Sequence, residues 1–359
     1  MGLRGVRAVS VTARPGRIVE ESTTTPARAR VVWLMVAALC LAVAVIASLA
    51  IGSRPISFPT VLDALTAPDG SDAHLVVREL RVPRTVLGVL AGAAFGVSGA
   101  LIQAFTRNPL ADPGILGVNA GAGFAVVVGV ALLGVTRTYQ YLPLAFAGAL
   151  LATALVYTIA ARGAGGAGGV TPLRLTLVGV ALSAVLGGIS SALTLLDAET
   201  FDHMRFWGAG SISDRPPGTI GSVAGFIVAG LVLAMVCARS LNAMGLGEET
   251  ARALGVNVIA MRVTCIVAVT LLCGAATAAA GPIGFVGLMV PHAVRWLTGP
   301  DQRWILPFTL LLAPTLLLVS DIVGRLVVWP GELQVGIVTA FIGAPVLMLL
   351  IRRTRASAL

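Results

Sequence analysis

The chain has 359 residues, 57% of them apolar and only 11% charged, with a mean hydropathy of +0.94. A soluble globular protein carries about 25% charged residues, so most of this surface does not face water. All 25 basic residues are arginine, which excludes a P-loop, whose lysine reaches the phosphates, and excludes pyridoxal and Schiff-base chemistry; if ATP drives this protein, a separate subunit binds it.

In chain order, residues 1–30 come first, with six arginines, a Ser-Thr-Thr-Thr run from Ser22 to Thr25 and little hydrophobic periodicity. They predict a disordered basic arm. The apolar stretch behind it starts too late and runs too long for a cleaved signal peptide. From Val31 to Ile351 the apolar excess is spread evenly, the pattern of one membrane domain with many crossings. A crossing needs about 20 apolar residues, and ten segments qualify: 31–52, 85–105, 116–134, 142–161, 175–196, 218–238, 262–280, 282–298, 304–324 and 334–351. The eighth is short and holds Gly284, Gly287 and Pro291, so a broken or tilted helix is expected there. The expected fold class is therefore all-α, a polytopic membrane protein with about ten transmembrane helices, the domain spanning 31–353 and a cytoplasmic tail 354–359.

Arginine placement sets the orientation. With both termini in the cytoplasm, the inner segments hold 17 arginines against 6 acidic residues and the outer ones 8 against 10, as the positive-inside rule requires. This bias accounts for the basic pI without nucleic acid. Small residues recur at helix-packing spacing at Gly92 and Gly96, Gly117 and Gly121, and Gly179, Ser183 and Gly187; dense packing and a glycine-lined pathway both fit. The four cysteines, Cys40, Cys237, Cys265 and Cys273, lie in apolar stretches without a C-x-x-C pair and read as small buried hydrophobes. Only the eighth span carries a central ionisable residue, His292, with Arg295 near its end. The lone histidine reads as a hydrogen-bonded packing residue. An ion-coupled carrier needs such groups at mid-membrane, and metal or redox enzymes need His, Cys or carboxylate clusters; none is present, so no metal, cofactor or catalytic residue is assigned.

Three polar stretches stand out. RELRVPR, from Arg78 to Arg84, precedes the second span on the outer side; Arg81 and Arg84 present fixed cations, either as anchors on lipid headgroups or for an acidic protein partner. NPLADPG, from Asn108 to Gly114, makes a sharp inner turn, with Asn119 and several glycines opening the next helix. The inner loop from Leu246 to Val256 fits a short helix over Glu248 to Leu254, with Glu248 and Glu249 in its first turn and Gly255 as its stop. Ala251 and Leu254 share one face, Glu249 and Arg252 another. A short amphipathic helix in a chain with no nucleotide site reads as a coupling element for a separate motor or as an inert interfacial helix.

The runs RVPR (Arg81 to Arg84), SGALIQ (Ser98 to Gln103), NPLADPGILG (Asn108 to Gly117), Gly247 to Val256, GPIGFVGLMVPH (Gly281 to His292) and ELQVGIVTAFIGAP (Glu332 to Pro345) resemble, in order and with the expected gaps, the FecCD permeases that import ferric siderophores, haem or cobalamin. The likeness covers about 31–353. It implies a ten-helix permease subunit of a bacterial cytoplasmic-membrane ABC importer, paired with a second permease copy or paralogue. Cytoplasmic ATP-binding subunits holding ATP and Mg would lie beneath it, and an extracytoplasmic substrate-binding protein would dock outside. Residue by residue, the resemblance assigns Arg81, Arg84 and Arg325 to binding-protein docking. It assigns Gly247, Glu248, Glu249, Ala251, Arg252, Leu254 and Gly255 to the helix that seats in the ATPase. Gln103, Asn108 and Asn119 are candidates for the translocation pathway. Gln334 departs from the family pattern, where proline is expected, and the basic arm is longer than the family needs. A ferric siderophore is the expected cargo, haem or cobalamin the alternative within the family, and an ion-coupled secondary transporter the alternative outside it.

Overall fold

A computed structural model describes residues 27–356 except 53–54, 136–137, 163–170 and 330; the basic arm up to residue 26 and the tail from 357 lie outside the described residues. The elements are α1 (Ala27–Ala50), α2 (Phe58–Thr66), α3 (Asp72–Leu75), a π-helical turn (Val76–Arg81), α4 (Val82–Thr106), a 3-10 turn (Pro113–Leu116), α5 (Val118–Leu133), α6 (Thr138–Arg162) and α7 (Pro172–Leu196). They continue with α8 (Ala198–Trp207), α9 (Thr219–Gly245), α10 (Glu248–Ala253), α11 (Val258–Ala280), α12 (Val286–Thr298), α13 (Gln302–Val327) and α14 (Val335–Ala356). The chain is all-α among the described residues. Seven helical stretches are long and apolar enough to cross a membrane. With the shorter apolar α5 and α14 and the half-length α12, they account for the ten expected spans.

Polar side chains start several of these helices by supplying acceptors to amides that have no intrahelical partner. Asp197 Oδ2 accepts the Thr200 amide at 2.9 Å, Asn257 Oδ1 that of Ala260 at 3.0 Å, and Asp301 Oδ1 that of Arg303 at 2.9 Å. The second span begins earlier than 85. The stretch from Arg78 to Arg84 is not a loop but lies in the first half of a continuous helix from Asp72 to Thr106. Pro83 has no amide hydrogen and its ring crowds the preceding turn. The backbone widens to π geometry just before it, the Val82 amide reaching back to Val77 O.

Helix α4 is the hub, buried along most of its length and packed by α13, α11, α12 and α9; α5 and α6 pair with each other and reach the hub side through α11, while α1 lies on α13. Glycine lets these backbones touch. A Cβ on Gly92 would stand 2.5 Å from Pro314 Cα, and one on Gly99 would collide with the Gly287 carbonyl. The Gly179 series divides: Gly179 abuts the Ile115 carbonyl, whereas nothing stands within 4 Å of a Cβ on Gly187. Of the cysteines, Cys237, Cys265 and Cys273 are buried, but Cys40 is exposed on α1, where the helix presents its outer apolar face.

The eighth span is half a crossing. At about 1.5 Å per residue, the 13 residues of α12 rise about 20 Å, short of the roughly 30 Å hydrocarbon core. Ahead of them Gly281 to Phe285 is non-helical, with Gly281 at φ +76° and Phe285 at φ +67°. Irregular backbone at membrane depth is tolerated where protein covers it. Here the carbonyl of Ala280, just before the break, accepts the Ser211 amide at 2.7 Å, and a Cβ on Gly281 would meet the Trp207 carbonyl. His292 packs its ring against Trp296, centroids 5.9 Å apart, but neither ring nitrogen has a hydrogen-bond partner among the described residues, which corrects the hydrogen-bonded reading.

Candidate functional site

The last carbonyls of α1 have no partners within the helix, and its last turn contains no basic residue. Two arginines from elsewhere supply them. Arg81 Nη1 donates to Leu49 O and Ala50 O, both at 2.7 Å. Arg325 Nη1 donates to Ser48 O at 2.8 Å and Ile51 O at 2.9 Å, and its Nη2 to Ser48 Oγ at 3.0 Å. Positive charge at a helix C-terminus also complements the helix dipole. Arg325 further donates through Nε to Asp321 Oδ2 at 2.9 Å, with Nη2 on the same oxygen. Arg84 grips Asp321 from the other side, Nε to Oδ2 at 3.0 Å and Nη2 to Oδ1 at 2.7 Å, and reaches Glu332 through Nη1 at 2.6 Å.

The structure thus brings Arg81, Arg84 and Arg325 together at one end of the bundle. It does not leave them standing as exposed cations. Arg325 is 2% exposed and Arg81 6%, because both are committed to closing α1; Arg84 keeps a 12% exposed side chain. Three guanidiniums face two carboxylates, so the cluster carries a surplus positive charge. Arg78, one turn earlier, is exposed. Beside the cluster lies a cavity of about 460 Å³ whose lining includes Arg84, Glu332, Asp214 and Arg215. Arg215 donates from Nη2 to Ser211 O at 2.7 Å and to Ala280 O at 3.2 Å, and burial pushes its pKa down to about 10. The counter-ions Asp321 and Glu332 had no docking role in the sequence reading; the spacing of Asp321 four residues before Arg325 on one helix was the signal for the first. Nothing in the sequence pointed to the α1 carbonyls.

At the far end of the roughly 37 Å that the 25 residues of α4 traverse, the chain builds α10. Glu248 anchors it, Oε1 accepting from Arg252 Nη2 at 2.6 Å and Oε2 from Arg262 Nη2 at 2.7 Å. Gly247 at φ +113° and Gly255 at φ +81° permit the turns on either side. Glu249 is exposed. Ala251 and Leu254 do not share a face: Ala251 is fully buried against the bundle, while Leu254, just past the last helical turn, is 62% exposed. Leu246 at 68% and Ile259 at 71% extend this exposed apolar surface.

The three pathway candidates separate. Gln103 is buried and Nε2 donates to Gly287 O and Leu288 O, both at 3.1 Å, while Oε1 accepts from Arg295 Nη1 at 2.7 Å. In a regular helix the Gly287 carbonyl would take the amide of residue 291, but Pro291 has none; Gln103 replaces it. Asn108 is a turn residue, Oδ1 accepting the Leu110 amide at 3.0 Å. Asn119 Oδ1 accepts from Thr277 Oγ1 at 2.9 Å, joining α5 to α11. Asp112, in the same turn as Asn108, holds the Gly114 amide at 2.8 Å, and burial raises its pKa. A further cavity of about 460 Å³ opens between α5, α7 and α8, with Gly123, Gly187, Ser190, Ser191 and Thr194 on its wall. The described residues contain no cluster of His, Cys or carboxylates able to hold a metal ion.

Residues 40–353 match the model of the FecCD transport family. The chain is 49% identical over 321 residues to the ferric enterobactin transport system permease protein FepD of Escherichia coli K12, covering 89% of this chain and 95% of that one. It is 42% identical to the Fe(3+)-citrate import system permease protein YfmD of Bacillus subtilis, with 86% and 90% covered. Among solved structures, a metal-chelate type ABC transporter in an inward-facing conformation superposes with a TM-score of 0.77 at 26% identity, covering 89% of this chain and 99% of that one.

Proposed function

The chain belongs to the FecCD transport family, and from that premise we propose that it is the permease subunit of a binding-protein-dependent ABC importer that carries a ferric siderophore across the bacterial cytoplasmic membrane. The single observation that carries the cargo is the 49% identity, over nearly the whole chain, to a permease named for ferric enterobactin. A haem or cobalamin cargo is the second reading, because the hemin permease HmuU of Yersinia pestis and the cobalamin permease BtuC of Halobacterium salinarum are also relatives, at 34% and 38%.

The arginine cluster faces outward in this reading and α10 faces the cytoplasm, in line with the excess of arginine on the α10 side. The surplus positive charge around Arg84, extended by exposed Arg78, suits an acidic rim on an extracytoplasmic binding protein; Arg81 and Arg325 act there by positioning the helix ends. The exposed Leu246, Leu254 and Ile259 around a short helix pinned by Glu248 suit an apolar groove on an ATPase subunit, which binds the ATP and Mg that this lysine-free chain has no loop to hold. A second permease copy or paralogue faces α7, whose apolar window is only 11% buried within this chain. Its weakly polar wall of Gly187, Ser190, Ser191 and Thr194 lets a bulky chelate slide rather than bind. ATP-driven closure of the motors moves α10 and switches the cavity between the two sides.

Uptake by the reconstituted complex tests this. Vesicles holding permease, ATPase and binding protein are expected to accumulate iron-55 enterobactin with ATP and not with an ion gradient alone. Gradient-driven uptake without the ATPase defeats the importer reading, and uptake of haem or cobalamin instead of the siderophore defeats the cargo.

A further inference from the structure

The α10 end contains a cavity of about 940 Å³ between α1, α4, α9 and α12, walled by Leu241, Leu246 and Leu254 and by three arginines, Arg30, Arg107 and Arg295. The carboxylate on its wall, Asp301, is already engaged, accepting from Asn242 Nδ2 at 2.6 Å and from the Arg303 amide at 2.9 Å. The cavity is therefore apolar in its walls and doubly positive in its charge. Arg30 lies over the Trp304 ring, 5.8 Å from its centroid, and its Nε is buried without a hydrogen-bond partner among the described residues. Gln103 holds Arg295 Nη1 at 2.7 Å and so fixes that guanidinium at the cavity wall. Arg107 stands at φ +52°, the left-handed region where an L side chain is strained and glycine ends a helix without penalty. A strained non-glycine residue at a cavity rim points to a use for its side chain.

We propose that this cavity binds the phosphodiester headgroup of an anionic phospholipid such as phosphatidylglycerol, clamped by Arg30, Arg107 and Arg295, with the acyl chains lying outside along α1 and α9. The flanking helices expose Val31, Val32 and Met35 on α1 and Val232 and Val236 on α9, a surface suited to acyl chains and not to a soluble anion. Guanidinium forks match phosphate geometry, and basic pockets between transmembrane helices bind lipid headgroups. The inference rests on the membrane-spanning reading and not on the cargo, so failed siderophore uptake leaves it standing.

Native mass spectrometry of the full-length permease in detergent tests it, titrating dioctanoyl phosphatidylglycerol against dioctanoyl phosphatidylcholine and inorganic phosphate. One saturable phosphatidylglycerol site is expected. Each arginine removed weakens it about fivefold, and Arg30→Gln with Arg107→Gln about 25-fold; Arg205→Gln, an exposed α8 residue at the other end of the bundle, leaves it unchanged. Arg107→Gly separates binding from folding: it relieves the positive φ, so thermal stability holds or rises while lipid affinity falls about fivefold. Equal affinity in wild type and the double variant overturns the proposal. So does phosphatidylcholine binding as tightly as phosphatidylglycerol, or inorganic phosphate displacing the lipid at equal concentration, which marks a plain anion site.

Discussion

Arg325→Gln separates a structural arginine from a docking one. The substitution removes the donors to Ser48 O and Ile51 O at 2.8 and 2.9 Å, the contact with Ser48 Oγ, and the pair with Asp321. Breaking one partner of a buried ion pair costs about 3–5 kcal/mol. The lower end applies, because Asp321 keeps the two-pronged grip of Arg84 at 3.0 and 2.7 Å. A loss of about 3 kcal/mol is about a hundredfold in the folding equilibrium, read as an earlier midpoint in SDS unfolding of the permease in mixed micelles. Arg325→Lys recovers little, since one ammonium cannot reach Asp321 and two carbonyls in a planar fork. Arg78→Gln, at an exposed position, stays within about 0.5 kcal/mol of wild type while weakening capture of the binding protein. An Arg325→Gln permease that unfolds like wild type but no longer binds its partner refutes the reasoning, and returns Arg325 to the role that family resemblance gave it.

Gln103→Leu leaves Gly287 O and the Arg295 guanidinium short of partners and is expected to cost about 2–4 kcal/mol. Adding Pro291→Ala restores an amide donor for Gly287 O, so the double variant is more stable than Gln103→Leu alone in the same SDS titration. Gly99→Ala drives a Cβ into the Gly287 carbonyl and is expected to cost about 3 kcal/mol, the upper end for overpacking, seen as a lower melting temperature in detergent. At α10 the two apolar residues part company. Ala251→Asp buries a charge and lowers expression of folded protein. Leu254→Asp folds normally but lowers transport-coupled ATP hydrolysis in the reconstituted complex; unchanged coupling there removes α10 from the power stroke.

Most of the fold was legible because a bilayer allows few solutions. Backbone groups with no water to pair with must pair along a helix, so apolar length alone located most of the crossings to within a few residues. The misjudged elements are those where a local rule competes with length. The second span was placed from residue 85, but a helix already running through Arg78 absorbs Pro83 by widening to π geometry. The segment 282–298 has a span's composition, yet positive φ at Gly281 and Phe285 confines its helix to 13 residues. Cys40 was judged by residue type, which does not register that α1 turns its apolar face outward.

The sequence marked out the arginines but not the groups that each of them touches, for a physical reason. Counting arginines against the bilayer assigns them to sides, since the positive-inside bias acts on arginine in short loops whatever each one touches. What an arginine does depends on depth and on which acceptors tertiary packing brings to it, and these come from segments far away in sequence. Arg81 and Arg325 reach the carbonyls of Leu49, Ala50, Ser48 and Ile51, and no periodicity links residue 325 to residue 48. Arg84 shares the motif with Arg81, yet spends its charge on Asp321 and Glu332 instead. Gln103 follows the same logic: a lone polar residue in an apolar span suggests a path, until the carbonyl orphaned by Pro291 is found within 3.1 Å. Polar groups inside the bundle therefore report first on broken backbone. In the importer proposed above, the residues left to meet a cargo are then the small ones with nothing opposite within this chain, such as Gly187 on α7, and a wall of that kind would select by size while leaving recognition to the binding protein.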